Sequence, residues 1–109
     1  MLSFDHVAIE CNDIPETIAF YTGLLGSVEV LYEDPTWAFL KIGETKIALV
    51  TPGEHPPHNC FRVEDHDELL AMAAEHGKRV KIHRDRSESF YIGDPSGNAI
   101  EILWYPPED

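Results

Sequence analysis

Three side chains in this sequence have the types and spacing to hold a cation. His6 and His58 lie 52 positions apart, and the sequence around each repeats at the same offset. His6-Val-Ala-Ile-Glu-Cys-Asn-Asp13 matches His58-Asn-Cys-Phe-Arg-Val-Glu-Asp65 in pattern, and the register carries Asp13 onto Asp65, Glu16 onto Glu68 and Ala19 onto Ala71. A unit used twice brings equivalent strands together about a pseudo-twofold axis, and with them two imidazoles. The third side chain, Glu101, stands in the strongly apolar run Asn98-Ala-Ile-Glu-Ile-Leu-Trp104. A carboxylate there is costly to desolvate without a cation. If that cation is a divalent metal, two imidazoles and a carboxylate hold it from one side and leave the other open to water or substrate. The competing reading pairs Glu101 with Arg62 and leaves both histidines as ordinary polar residues at strand starts.

The elements that must carry these groups follow from periodicity. Residues 3–11 alternate as a strand, with His6, Ala8 and Glu10 on one face and Val7, Ile9 and Cys11 on the other. Asp13 starts a helix with Pro15 in its first turn and Glu16 three residues on, a capping box, and Gly23 and Gly26 end it. Strands follow at about 27–32, 36–42 and 46–51. The second half repeats the order: a strand over 58–63, a helix capped by Asp65 with Glu68 and stopped by Gly77, then strands at about 79–83, 88–92 and 98–105. Leu69, Leu70, Met72 and Ala73 are the expected core face of this second helix. The pattern predicts an α+β chain of two βαβββ modules, about 3–51 and 57–105, within a single domain spanning 1–109. The modules form a curved mixed sheet whose apolar outer face is covered by helices and whose inner face lines a cup. Ala8, Cys60, Arg62, Ala99, Glu101, Leu103 and Tyr105 share the phase of the two histidines. His66 and His76 are expected in solvent, and His55 and His83 on the surface, although these last two are placed where they could reach the cup edge.

Charge narrows the partners. Eight Lys and Arg stand against twenty Asp and Glu, for a net charge of −12, which argues against nucleic-acid phosphates. Five of the eight bases crowd into Lys78-Arg79-Val-Lys81-Ile-His-Arg84-Asp-Arg86 and could steer an anionic part of a small ligand. The N-terminus has no signal-like apolar region, and no stretch approaches the ~18 apolar residues of a membrane span. These features predict a soluble cytoplasmic protein without a membrane partner. Two cysteines, Cys11 and Cys60, make no disulfide framework.

Four segments are similar to the vicinal oxygen chelate superfamily: Phe4-Asp-His-Val-Ala8, Phe20-Tyr-Thr-Gly-Leu-Leu-Gly26, His58-Asn-Cys-Phe-Arg-Val-Glu-Asp65 and Tyr91-Ile-Gly-Asp-Pro-Ser-Gly-Asn-Ala-Ile-Glu101. That superfamily includes glyoxalase I, methylmalonyl-CoA epimerase, extradiol dioxygenases, fosfomycin-resistance thiol transferases and bleomycin-resistance proteins. The resemblance implies metal ligation by His6, His58 and Glu101, with Fe, Mn, Ni or Zn as the divalent ion, and a homodimer. It also implies a fourth ligand at Ala48 for the glyoxalase and epimerase branches, which a methyl group cannot supply. In the dioxygenase and thiol-transferase branches it places Tyr91 near the bound oxygens, where a phenol stabilises developing negative charge. Lys81 and Ser89 fall where the thiol transferases bind a phosphonate, but Ala8 replaces their threonine. The acid–base histidine of ring cleavage has no match in register. The shared expectation is an enzyme that chelates adjacent oxygens of a small oxygenated metabolite and stabilises an oxyanion, of lyase, isomerase or dioxygenase type. Tyr91 and Glu101 are its expected catalytic groups, and Arg62, Lys81, Ser89 and Cys60 its expected substrate contacts. The alternative is a metal-free drug-binding protein of the bleomycin-resistance type, which the acidic charge suits.

Overall fold

A computed structural model describes residues 2–107. The element order is βαβββ followed by βαβββ: β1 (Leu2–Glu10), α1 (Ile14–Leu25), β2 (Glu29–Glu33), β3 (Trp37–Ile42), β4 (Thr45–Val50), β5 (His58–Val63), α2 (His66–Glu75), β6 (Lys81–Ile82), β7 (Glu88–Gly93) and β8 (Ala99–Trp104). The fold is thus α+β, with eight strands of mixed sheet and two helices. Two compact units divide the chain. One is His6–His58; the other holds the residues up to Asp5 and from Asn59 onward.

In the His6–His58 unit the strand order is β2-β3-β4-β1. The neighbours β1 and β4 are parallel, with Ala8 opposite Ala48, while β3 is antiparallel to β4, with Phe39 opposite Ala48. Directly paired residues share a face. Ala8, Ala48 and Phe39 therefore lie on one face, and the alternate residues Ile9, Leu49, Ala38 and Leu40 lie on the other. Helix α1 covers that second face: Ile14, Ala38, Leu40 and Leu49 are fully buried together, with Ile18 and Tyr21 packed beside them. The helix starts as its sequence dictates, since the Asp13 carboxylate accepts the Glu16 N–H at 2.8 Å and Pro15 occupies the first turn, where its missing N–H costs nothing. Gly23 does not end it. The helix runs on to Leu25, and Gly26, at φ 78°, supplies the left-handed residue that stops it.

The other unit has the order β5-β8-β7-β6, with β7 antiparallel to β8 and β6 antiparallel to β7. Val63, Leu69, Ala73, Phe90 and Ile102 form its core under α2. Leu70, expected in that core, is 43% exposed, because Leu69 and Ala73 already define the buried stripe of so short a helix. Asp65 has the extended backbone of a cap, yet its side chain makes no cap bond. The strand expected over 79–83 is reduced to Lys81–Ile82. Beyond Ile82 the chain turns, with the Asp85 carboxylate accepting the Ser87 N–H (2.9 Å) and hydroxyl (2.6 Å) and Arg86 at φ 73°. The turn before β8 forms as its residues require: Asp94 accepts the N–H groups of Ser96 and Asn98, and Gly97 takes φ 86°.

Candidate functional site

Both histidines are buried in the His6–His58 unit. His6 is 8% exposed on β1, and His58, also 8%, opens β5. Their ring centroids are 5.5 Å apart at 71°. His58 Nδ1 lies 2.8 Å from the carbonyl of Pro56. A carbonyl only accepts, so Nδ1 carries the proton, and the lone pair of the neutral ring belongs to Nε2, which is buried. Phe39 stands edge-on to His6 at 5.1 Å. Ala48, opposite Phe39 and Ala8, is 5% exposed and has no donor atom to offer.

Glu101 lies in the other unit, 5% exposed in the middle of β8 and directly opposite Tyr91 of β7. Burial, and then the negative charge of Glu101 and its hydrogen bond, push the Tyr91 phenol above its ordinary range, so at neutral pH it is a donor. His83, expected on the surface, is half-buried instead. Its Nε2 lies 2.6 Å from the hydroxyl of Ser89 and 3.7 Å from Glu101 Oε2. The antiparallel pairing of Lys81 with Ser89 brings β6 alongside β7 and carries His83 inward. Ser89 itself is fully buried, whereas Lys81 is exposed.

The remaining expected contacts separate in the same unit. Cys60 is a fully buried thiol. Arg62 is exposed, with its guanidinium 4.9 Å over the ring of Tyr105. The Tyr105 hydroxyl donates to buried Asp5 at 3.1 Å, and burial followed by the Asp5 charge raises its pKa. His66, expected in solvent, lies 2.8 Å from Glu88 and packs on Trp104.

Each unit has donor groups of the kind a divalent metal takes. In the first, His6 and His58 are buried and offer two imidazole nitrogens; in the second, Glu101 is a buried carboxylate. A ligating histidine ordinarily donates its other N–H to a carbonyl or carboxylate, which fixes its tautomer. His58 does so through Pro56. With metal–nitrogen bonds of about 2.1 Å, two imidazoles on one ion at 90–120° have centroids about 4.5–5.5 Å apart, and the separation in this unit falls at the upper end.

Residues 3–102 match the family model of the glyoxalase/bleomycin resistance protein/dioxygenase superfamily. The chain belongs to this superfamily. Solved structures agree in fold. A superfamily member from Vibrio splendidus 12B01 is 20% identical with a TM-score of 0.70, covering 96% of this chain and 100% of its own. A hypothetical protein from Bacillus halodurans C-125 is 20% identical with a TM-score of 0.76, covering 99% and 97%. A variant of homoprotocatechuate 2,3-dioxygenase from B. fuscum is 18% identical with a TM-score of 0.72 over 97% of this chain, which spans 33% of that longer protein. No curated protein matches the sequence. No helix among the described residues is long and apolar enough to cross a membrane.

Proposed function

We propose that this superfamily member is a divalent-metal-dependent enzyme that chelates a small oxygenated metabolite through two adjacent oxygens. His6, His58 and Glu101 are the protein ligands, and the ion is Fe, Mn, Ni or Zn. The reaction belongs to the lyase, isomerase or dioxygenase types. The observation that carries this reading is the histidine pair, with two buried rings 5.5 Å apart and one locked by the Pro56 carbonyl into the tautomer that presents Nε2. A carbonyl bond on one ring nitrogen is the usual way a ligating histidine directs the lone pair of the other toward an ion.

When bound, a divalent ion supplies Lewis acidity toward the two chelated oxygens. The chain's own groups do the rest. Tyr91, kept protonated by burial and by Glu101, has one O–H, which turns from Glu101 to a substrate oxygen and favours the state in which that oxygen gains negative charge. Ser89 and Cys60, fully buried, shape the inner wall, and Ser89 orients His83. Arg62 and Lys81, both exposed, attract an anionic part of the substrate from outside. Ala48 leaves the first unit without a fourth donor at that position, which disfavours proton transfer of the glyoxalase kind. The whole chain acts as one functional domain, as a homodimer in the cytoplasm. Exposed Phe20, Leu24 and Leu25 on α1 support the dimer, and two cysteines outside any disulfide suit a reducing compartment.

Metal analysis of protein purified without chelator tests the proposal. One ion per chain is expected, with loss in both His6→Ala and His58→Ala. Protein that stays metal-free on titration with all four ions, while binding a cationic drug, overturns it in favour of the binding-protein reading.

A further inference from the structure

The face of the His6–His58 unit that α1 leaves uncovered carries a continuous row of rings. Tyr32 stacks on Trp37 with centroids 4.5 Å apart and planes 30° from parallel. Trp37 lies 6.3 Å from Phe39, Phe39 lies 5.1 Å from His6, and His6 meets His58. Exposure rises along the row, from 8% at His6 to 37% at Trp37 and 39% at Tyr32. The row is buried at the histidines and open at its far end.

Two local devices build the open end. The register of β2 on β3 shifts between Val30 and Tyr32, so that Tyr32 lies opposite Phe39. Uninterrupted pairing would set Leu31 there and turn the tyrosine to the helix side; the bulge re-aims it. Asp34 then ties the Tyr32 ring to the backbone that carries Trp37. Its Oδ2 accepts the Tyr32 hydroxyl at 2.6 Å, while Oδ1 accepts the backbone N–H of Trp37 at 2.9 Å and the backbone N–H and hydroxyl of Thr36. A stacked pair held by its own turn in this way is pre-organised, and ordering costs little when something binds it.

Charge narrows the occupant. The unit holds eight acidic residues and two basic ones, and Glu33 and Asp34 flank the Tyr32–Trp37 end. Lys46 lies toward the buried end, 5.6 Å over the Phe39 ring. An anionic group would therefore be repelled from the open end and tolerated nearer the histidines.

We propose that Tyr32, Trp37 and Phe39 form a binding wall for a planar unsaturated group, free of negative charge, carried at the far end of the substrate. This deepens the metal-enzyme reading and rests on it for the oxygen-bearing head alone. Trp37 lies two ring-to-ring steps from His6, so the planar group is a tail separate from the chelating oxygens and not the ring that bears them. The substrate class is a two-part molecule: a head with vicinal oxygens, a short spacer, and an aryl or heteroaryl tail.

The wall is tested on chelator-treated full-length protein by calorimetric titration with naphthylethanol, its saturated decalin counterpart, and naphthylacetate. Naphthylethanol should bind roughly three- to tenfold tighter than the decalin alcohol, the gain of aromatic stacking over plain apolar contact, and naphthylacetate should bind more weakly than either. Trp37→Leu, which keeps apolar bulk without a π face, should bring the two alcohols level, as should Trp37→Ala. Equal affinities in the unaltered protein, or a preference that survives both substitutions, overturn the proposal. So does a concentration-dependent dimer in sedimentation that Trp37→Ala abolishes, since a second copy of the chain would then cover the wall. Hydroxyacetone binding to manganese-loaded protein reads the head separately; its failure counts against the metal-enzyme reading and leaves the naphthyl result standing.

Discussion

Glu101→Gln separates a metal ligand from a structural carboxylate, because the two roles predict opposite patterns of stability. Glutamine keeps the volume and an acceptor for Tyr91 but removes a charge from a position only 5% exposed. Without metal, a buried carboxylate is a desolvation cost, so the metal-free variant should be as stable as the parent or more so. With metal the order reverses. At a free metal concentration about a hundredfold above Kd, binding adds about 2.7 kcal/mol. For a domain of this length that raises Tm by roughly 10–20 °C, taking about 4–8 °C per kcal/mol. If losing the carboxylate weakens binding by about a hundredfold, the same metal concentration adds only about 0.4 kcal/mol, a shift of roughly 2–3 °C. Differential scanning calorimetry of both proteins, treated with chelator and then titrated with Mn or Zn, reads all four states. Equal metal-induced shifts in parent and variant would refute the assignment of Glu101. A metal-free variant that is destabilised by several kcal/mol would show that the carboxylate serves the fold.

Two further outcomes test the local physics. Asp34 is held down to about 2 by the Tyr32 hydroxyl first, and then by the Thr36 and Trp37 bonds. Its folded pKa lies below the ordinary 3.8, so its contribution to the turn is complete above that value and is lost as pH falls through about 2. In a Trp104→Phe background, Trp37 fluorescence should therefore hold steady down to about pH 3; a transition centred on the ordinary carboxylate pKa, absent in Asp34→Asn, would contradict the turn's role. Leu69→Ala should cost about 2–5 kcal/mol in urea denaturation, since Leu69 is fully buried against Val63, Ala73, Phe90 and Ile102, and a loss below 1 kcal/mol would mean that α2 is not seated as described.

Local sequence made much of this legible. The 52-residue offset exposed the duplicated βαβββ order, the Asp13 and Glu16 pair marked the start of α1, and Asp94-Pro-Ser-Gly-Asn98 gave the turn before β8. What escaped depended on pairing between strands. His83 looked like one more polar residue in a basic run, and only the Lys81–Ser89 register turns it toward Ser89 and Glu101. Tyr32 could not be assigned a face by alternation, because a bulge interrupts the two-residue period just before it. Of the two glycines expected to end α1, Gly26 does so at positive φ, whereas Gly23 lies within the helix, where glycine is tolerated at modest cost; residue type alone does not tell the two apart.

Pulsed electron paramagnetic resonance of the Cu(II)-loaded protein tests most directly whether His6 and His58 share one ion. Two coordinated imidazoles should be resolved in the parent, through their remote nitrogens, and one in each of His6→Ala and His58→Ala. A single imidazole in the parent, or a signal that neither substitution changes, would contradict the shared site.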